Sequence, residues 1–191
     1  LERGSMLSVG SGEFSGLIRG DGSLTKSDDK MLILSGDNTY SGNTSIESGI
    51  LKVAGSLSDS TSVTVQDGAV YKVANSDEIG SLEGAGDVQI FPNQVLTAGS
   101  LDKDTIFSGV MRDGGGFRKV GSSIITFSGL NTYSGDTTVD AGTLLAGADG
   151  TFSKSSELIA NEGGVIDLGG SNQSVGKISI KGGELKNGFL S

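Results

Sequence analysis

The chain has 191 residues and a net charge of −9, and it contains 33 glycines, one proline, no histidine and no cysteine. Without His or Cys the chain cannot form a Ser-His-Asp triad, a His- or thiolate-ligated metal site or a disulfide. The 14 Lys and Arg residues are scattered among 23 Asp and Glu residues, so the sequence predicts no phosphate-neutralising surface and no nucleic-acid partner.

Short apolar runs rich in β-branched residues follow one another along the whole chain. Examples are MLIL at 31–34, SVTV at 62–65, VYKV at 70–73, SIITF at 123–127 and KISI at 177–180. Turn residues bound nearly every run, and no window keeps the apolar spacing of an amphipathic helix. No apolar stretch approaches the ~18 residues of a transmembrane segment. The pattern predicts an all-β chain.

The N-terminal region contains two features of its own. Residues 1–5 (LERGS) resemble a cloning remnant, and we expect the chain to be an excised piece of a longer protein. Arg19-Gly20-Asp21 is the tripeptide that integrins recognise. At the matching place in the second half the chain reads Arg112-Asp113-Gly114, and Gly and Asp are common turn residues. Turn chemistry explains the tripeptide better, and integrin binding is kept as a minor hypothesis.

A long segment of the chain occurs twice. Residues 14–55 align with 107–148 without a gap, and 16 of the 42 positions are identical, against about three expected from average residue frequencies. The similarity continues more loosely from 56–73 to 151–168. Duplication on this scale is typical of a structural unit that stacks. We expect a first unit over 6–106 with its core at 14–55, and a second over 107–191 with its core at 107–148.

The spacing of the apolar runs favours a solenoid over a β-sandwich. Sandwich strands need turns every ~8–12 residues, whereas the strands here are shorter and the corners come faster. Such strands build a right-handed parallel β-helix, in which coils of about 20–25 residues stack at the ~4.8 Å strand spacing. About eight coils would form a rod about 40 Å long. We expect corner glycines such as Gly42 and Gly135 to adopt positive φ.

Two segments, 22–51 and 116–144, resemble the autotransporter-associated β-strand repeat, also called the passenger-associated transport repeat. Each carries a lysine, an apolar strand, a glycine, an Asn-Thr-Tyr-Ser-Gly run and a glycine shortly before a final leucine. The matched structural positions are Lys26, Gly36, Asn38, Tyr40, Gly42 and Gly49 in the first copy, and Lys119, Gly129, Asn131, Tyr133, Gly135 and Gly142 in the second. The first copy departs from the family at Asp28, where the second has Gly121, and at Ile50, where the second has Thr143.

The resemblance implies the passenger of a Gram-negative type V secretion protein, exported through the periplasm and the outer membrane to the cell surface or beyond. Its partner in export would be the C-terminal β-barrel translocator of the same protein. In this family the repeat is associated with export and with folding of the passenger. We therefore expect a non-enzymatic, virulence-associated β-helix that binds host-cell surface proteins or glycans. The alternatives are a structural stalk that promotes secretion without binding, and a polysaccharide-acting β-helix enzyme.

Several residues could in principle carry chemistry. Tyr40 and Tyr133 could stack on sugars, but packing across a corner fits their matched positions better. A site for an acidic polysaccharide needs grouped cations, and only Arg112, Arg118 and Lys119 are close in sequence. The acidic residues are interpreted as solvated corners, because the tandem nonapeptides of calcium-loaded β-rolls are missing; they are Asp28, Asp29, Asp37, Asp77, Glu78, Asp136 and Asp140. We predict no catalytic residue, metal ligand or cofactor.

The two ends of the predicted rod show no polar cap. An uncapped β-helix presents unpaired backbone groups and open apolar columns. We therefore expect loosely packed terminal residues and weak self-association through the open ends. The negative net charge should oppose this association at low salt.

Overall fold

The chain forms one continuous stack of β-coils. The computed structural model describes residues 1–191 and contains 24 β-strands and no helix. All pairs between these strands are parallel, and each strand pairs with a strand of an adjacent coil. This confirms the all-β parallel solenoid that the sequence predicts.

The strands line three faces of the solenoid, which the chain visits in the order A, B, C. Face A consists of β1 (Met6–Val9), β3 (Ser23–Lys26), β5 (Thr44–Ile46), β7 (Ser62–Val65), β10 (Ser81–Gly84), β13 (Thr105–Phe107), β16 (Ile124–Phe127), β18 (Gly142–Ala146), β20 (Gly164–Asp167) and β23 (Glu184–Lys186). Face B consists of β2 (Gly12–Phe14), β4 (Met31–Leu34), β6 (Ile50–Val53), β8 (Val70–Val73), β11 (Asp87–Ile90) and β14 (Met111–Arg112), and it resumes as β21 (Asn172–Gln173) and β24 (Phe189–Leu190). Face C consists of β9 (Asp77–Ile79), β12 (Val95–Ala98), β15 (Gly116–Lys119), β17 (Thr137–Val139), β19 (Glu157–Asn161) and β22 (Lys177–Lys181).

Face A sets the number of coils, because each coil contributes one strand to it. Its ten strands correspond to about nine turns, one more than the eight expected. At ~4.8 Å per step the rod is about 43 Å long.

The core consists of columns of inward-facing side chains. In β6, Leu51 and Val53 are buried while Ile50 and Lys52 are only half-buried, as the two-residue period of a strand requires. Leu51 and Val53 stack on Tyr71 and on the equivalent valine of β8. Stacking of this kind joins 34 buried hydrophobic residues into one cluster along the rod. No single coil could bury its apolar face alone, so stability depends on coil-to-coil stacking.

The two sequence repeats have the same local structure but occupy different faces. The strand with Lys26 is β3 on face A, whereas the matching strand with Lys119 is β15 on face C. From β3 the chain completes four coils at β13 and then crosses β14 to reach β15, which is four coils plus two faces. Relative to the first copy, the second is therefore advanced about the rod axis by two of the three faces, which is equivalent to one face backward. The structure shows no break at the expected unit boundary of 106/107, because β13 (Thr105–Phe107) crosses it and pairs with β10. The boundary stays a prediction.

The end coils form paired strands but leave apolar surface open, and loose packing of the terminal residues stays a prediction. β1 pairs with β3 over four residues, and β21 pairs with β24. Near the first coil Met6 is 68% exposed, and near the last Phe189 is 66% exposed. An apolar cavity of about 210 Å³ opens at the first coil, lined by Leu7, Val9, Phe14, Ile18, Leu32 and Leu34.

We predict that these ends make the 191-residue chain self-associate as salt rises, because screening removes the repulsion between acidic rods over roughly 8–10 Å. Analytical ultracentrifugation from about 20 mM to about 500 mM NaCl should show a rising weight-average mass. Phe14→Glu should abolish the rise, while Leu130→Glu, an exposed residue away from both ends, should preserve it. A strict monomer across the salt series would contradict this prediction.

Candidate functional site

The repeat positions predicted from the sequence lie inside the solenoid. Lys26, Lys119, Tyr40 and Tyr133 are fully buried, and the two asparagines are at most 5% exposed. Two buried hydroxyl networks start at the tyrosines. Tyr40 OH contacts Thr44 Oγ1, which lies 2.9 Å from Thr61 Oγ1, and Tyr133 has the equivalent arrangement with Thr137 and Ser156. Burial raises the pKa of both tyrosines to about 12, and neither ring is available to stack on a sugar.

The matched asparagines each join three successive coils. Asn38 Oδ1 accepts a hydrogen bond from the Ile18 N–H at 3.0 Å, one coil before. Its Nδ2 donates to the carbonyl of Ser56 at 2.8 Å, one coil after. Asn131 repeats this between Met111 and Thr151. The sequence motif Asn-Thr-Tyr therefore places an amide where backbone groups of the coils before and after need partners.

The interpretation of Asp77 as a solvated corner is wrong, because Asp77 is only 6% exposed. Asp77 and Gln173 occupy positions equivalent to those of the matched asparagines. Asp77 accepts the Leu57 N–H at 3.1 Å and the Tyr71 hydroxyl at 2.9 Å, and Gln173 Oε1 accepts the Phe152 N–H at 3.0 Å. Loss of hydration in this buried position raises the pKa of Asp77 to about 6, although the hydrogen bonds from Leu57 and Tyr71 oppose the rise. The signal that could have found Asp77 is its spacing of 20 residues from Leu57, the same spacing that separates Asn38 from Ile18.

We predict that Asp77→Asn stabilises the protein at pH 7. The folded-state pKa of Asp77 lies above the unfolded value of about 3.9, so the carboxyl group favours folding most below about pH 4. That stability is lost as pH rises through about 6. The amide variant should raise the free energy of unfolding at pH 7 by up to about 2–3 kcal/mol, at about 1.4 kcal/mol per pKa unit.

Urea denaturation between pH 4 and pH 8 measures this effect, and the exposed Asp67→Asn is the control with the same charge change. Asp77→Asn should flatten the pH dependence between about 4 and 6, and Asp67→Asn should not. Equal destabilisation by Asp77→Asn at both ends of the range would show that the carboxylate itself is needed.

The matched lysines bridge adjacent coils at a corner. Lys119 Nζ donates to the carbonyls of Val120 at 2.7 Å, Gly121 at 2.9 Å and Ala141 at 3.3 Å. Burial lowers its pKa to about 8, against the opposing charges of Asp102 and Asp104.

In the first copy Lys26 Nζ donates to the carbonyl of Ser48 at 3.2 Å, one coil later. Asp28, the departure from the family pattern, adds an ion pair at 2.9 Å that the second copy lacks. This ion pair lowers the pKa of the Asp28 carboxyl. The charge of the buried lysine is thus compensated differently in the two copies.

The prediction that the corner glycines Gly42 and Gly135 adopt positive φ is wrong. Gly42 and Gly135 do not have positive φ; the positive values belong to Gly49 and Gly142, at 65° and 64°. A Cβ atom on Gly42 would lie 2.3 Å from the Gly22 carbonyl oxygen, and one on Gly135 would lie 2.5 Å from the Gly115 backbone. At these positions the backbones of adjacent coils approach too closely for any side chain.

We predict that Gly42→Asn destabilises far more than Gly68→Asn. Gly68 has φ of 79° and open space around it, a conformation that Asn tolerates, so that variant should change stability by less than about 0.5 kcal/mol. Gly42→Asn must push coils apart and should cost at least about 1–3 kcal/mol. Thermal unfolding of both variants decides the matter, and equal melting temperatures would refute backbone crowding at Gly42.

The integrin-type tripeptide lies on an exposed corner next to the chain terminus. Arg19, Gly20 and Asp21 are all exposed. The Asp21 N–H donates to the Leu1 carbonyl at 2.9 Å, and the Asp21 carboxylate accepts from Ser41 Oγ at 3.2 Å. The tripeptide backbone is therefore held against residues 1–5 instead of projecting, and integrin binding stays a prediction.

The cations and carboxylates that are close in sequence separate in space. Arg112 lies on face B, Arg118 lies on face C, and Lys119 is buried inside, so these three cations do not form one group in space. No three carboxylate side chains come close enough to hold a metal ion.

The largest concave surface is a polar groove on face C that the sequence did not indicate. It has a volume of about 490 Å³. On its wall Arg118 Nε donates to the Asp140 carboxylate, which also accepts from Asn161 Nδ2 at 2.7 Å. Thr138 and Asp136 complete the polar lining. Fixed amide, carboxylate and guanidinium groups of this kind can exchange hydrogen bonds with a ligand rich in hydroxyl or peptide groups.

Comparison with known proteins identifies the repeat and a relative. The passenger-associated-transport-repeat family matches residues 24–53 and 117–146. Over 165 aligned residues the chain is 34% identical to Adhesin BmaC autotransporter of Brucella suis biovar 1 (strain 1330). The chain belongs to the autotransporter passengers. The alignment covers 77% of this chain and 4% of that relative, so the passenger segment spans a small part of the relative's length.

Membership of this family places the passenger at the bacterial cell surface or outside the cell. No solved structure matches the chain. The chain contains no helix that is long and apolar enough to cross a membrane. The two matched segments include both lysine corners, both asparagine bridges and both buried tyrosines, so the family pattern in this passenger consists largely of interior positions.

Proposed function

We propose that this passenger segment is an adhesive module that binds host-cell surface proteins or glycans through its outer faces. The observation that carries the proposal is the 34% identity to an autotransporter named as an adhesin. The groove on face C, with a volume of about 490 Å³, offers one place for such contacts. Extended solenoid faces are suited to binding because stacked coils present a continuous surface.

The arrangement of the repeats supports binding through unrepeated positions. The lysines, asparagines and tyrosines that match in the two copies are buried, and the copies themselves lie on different faces. Outward corner positions differ between the copies, for example Asp37 against Leu130 and Asn43 against Asp136. A ligand would therefore contact side chains that only one copy carries, and each coil can have its own specificity.

A structural stalk that assists export remains the second candidate. Its support is the match to the passenger-associated-transport-repeat family and the interior location of the matched residues. A polysaccharide-acting enzyme is the third hypothesis, and no observation favours it, since its proposed cations are on separate faces.

Binding of the labelled 191-residue chain to cultured host cells tests the proposal. We expect saturable binding that excess unlabelled chain competes away. Thr138→Tyr, which fills the face C groove, should weaken binding, whereas Thr126→Tyr on face A should not. Asp21→Glu tests the tripeptide separately.

Binding that neither saturates nor is competed would favour the stalk. Equal effects of the two tyrosine variants would rule out the groove without affecting adhesion itself.

A further inference from the structure

We propose that face B carries a binding site for a linear acidic polysaccharide, aligned with the rod axis and held by Lys52 and Lys72. The inference rests on the proposed adhesive function and names a ligand class for one face. Lys52 and Lys72 are in register on β6 and β8, one directly above the other. The same outward column continues through Gln89 to Arg112. The column thus spans three coil steps, or about 14 Å.

The two lysines have no ion-pair or hydrogen-bond partner within the protein. Five ion pairs are present, and neither Lys52 nor Lys72 takes part in any of them or in a side-chain hydrogen bond. Lys52 Nζ instead lies 5.8 Å from the centre of the Phe91 ring, a cation–π contact that keeps the ammonium group over the face. Arg112 at the end of the column is paired with Asp87 at 2.7 Å. The free positive charge is therefore concentrated at Lys52 and Lys72.

This placement costs folding stability and so calls for another explanation. Like charges directly opposite each other on neighbouring strands are destabilising. In a chain of net charge −9, carboxylates are available to neutralise them, yet none does. An external anion that bridges the two ammonium groups would remove the repulsion and form charge-assisted hydrogen bonds with both.

The shape of the surface favours a polymer chain over other polyanions. The cationic column is one side chain wide and runs beside an apolar column of Met31, Ile50 and Val70. An acidic polysaccharide fits both features, because its sugar rings have an apolar face and carry carboxylate or sulfate groups at their edge. A bilayer or a nucleic-acid duplex would need a broader cationic surface, and the acidic chain as a whole would repel it.

The test measures binding of the 191-residue chain to heparin, polygalacturonate and neutral dextran by isothermal titration calorimetry at low salt. We expect binding to at least one acidic polysaccharide, no binding to dextran, and weakening as salt rises. The double variant Lys52→Gln/Lys72→Gln should lower affinity at least about tenfold. Lys177→Gln/Lys181→Gln, with the same charge change on face C, should change it less than about twofold. The melting temperature of the face B variant should be unchanged or higher, which separates lost binding from lost folding.

Equal affinities for the two double variants, or no binding to either acidic polysaccharide, would overturn the inference. Tighter binding of a single-stranded oligonucleotide or of phosphatidylserine vesicles through the same two lysines would also overturn it in favour of that ligand class. The cell-binding assay separates failure of the polysaccharide site from failure of the proposed adhesive function. If calorimetry contradicts the polysaccharide site but the unaltered chain still binds cells, only the site is wrong and adhesion stands; if the unaltered chain binds no cells, the adhesive function fails as well.

Discussion

In-register parallel stacking is the constraint on which the rest of this structure depends. Each residue has a neighbour at the same position one coil before and one coil after, so an inward position is surrounded by backbone and side chains of three coils. Apolar residues satisfy this by forming columns, as Leu51 does with Leu32 and Tyr71. A polar residue fits into such a column when it supplies hydrogen bonds in both directions, as Asn38 does with Ile18 and Ser56. The same rule makes Gly42 indispensable, since the coil before it leaves no space for a Cβ.

The repeat length explains why the duplicated motif cannot serve as a duplicated binding surface. Because a unit spans four coils plus two of the three faces, the second copy does not start on the same face as the first. Lys26 and Lys119 consequently belong to different sheets. Local sequence determines how a corner is built, whatever face it borders. Copies that point in different directions cannot present the same epitope to one flat partner. The lysines, asparagines and tyrosines that match in the two copies therefore serve coil formation.

Much of the fold could be predicted from the sequence, because strand length, glycine corners and duplication are local properties. The number of coils was one too low, since the expected coil of 20–25 residues is longer than the spacing of about 20 that links Ile18 to Asn38. Without the number of residues per coil, the sequence could not predict which side chains lie next to each other on adjacent coils. Arg112 and Arg118 are close in sequence but a corner separates them onto faces B and C, whereas Lys52 and Lys72 are distant in sequence and adjacent in space. Asp77 was wrongly assigned to a solvated corner for the same reason, because only coil register shows that it replaces an asparagine.

Stacking also repeats whatever lies on the outside. An outward residue type that recurs once per coil becomes a continuous column, and the spacing of ~4.8 Å is fixed by the backbone hydrogen bonds. For serine or threonine such a column is harmless, but for Lys52 and Lys72 it brings like charges together. The interior columns provide enough stability to tolerate that cost, because each buried Leu, Ile or Val contributes about 1.5–3 kcal/mol. A solenoid can therefore keep an unfavourable outer column that a small globular domain would lose.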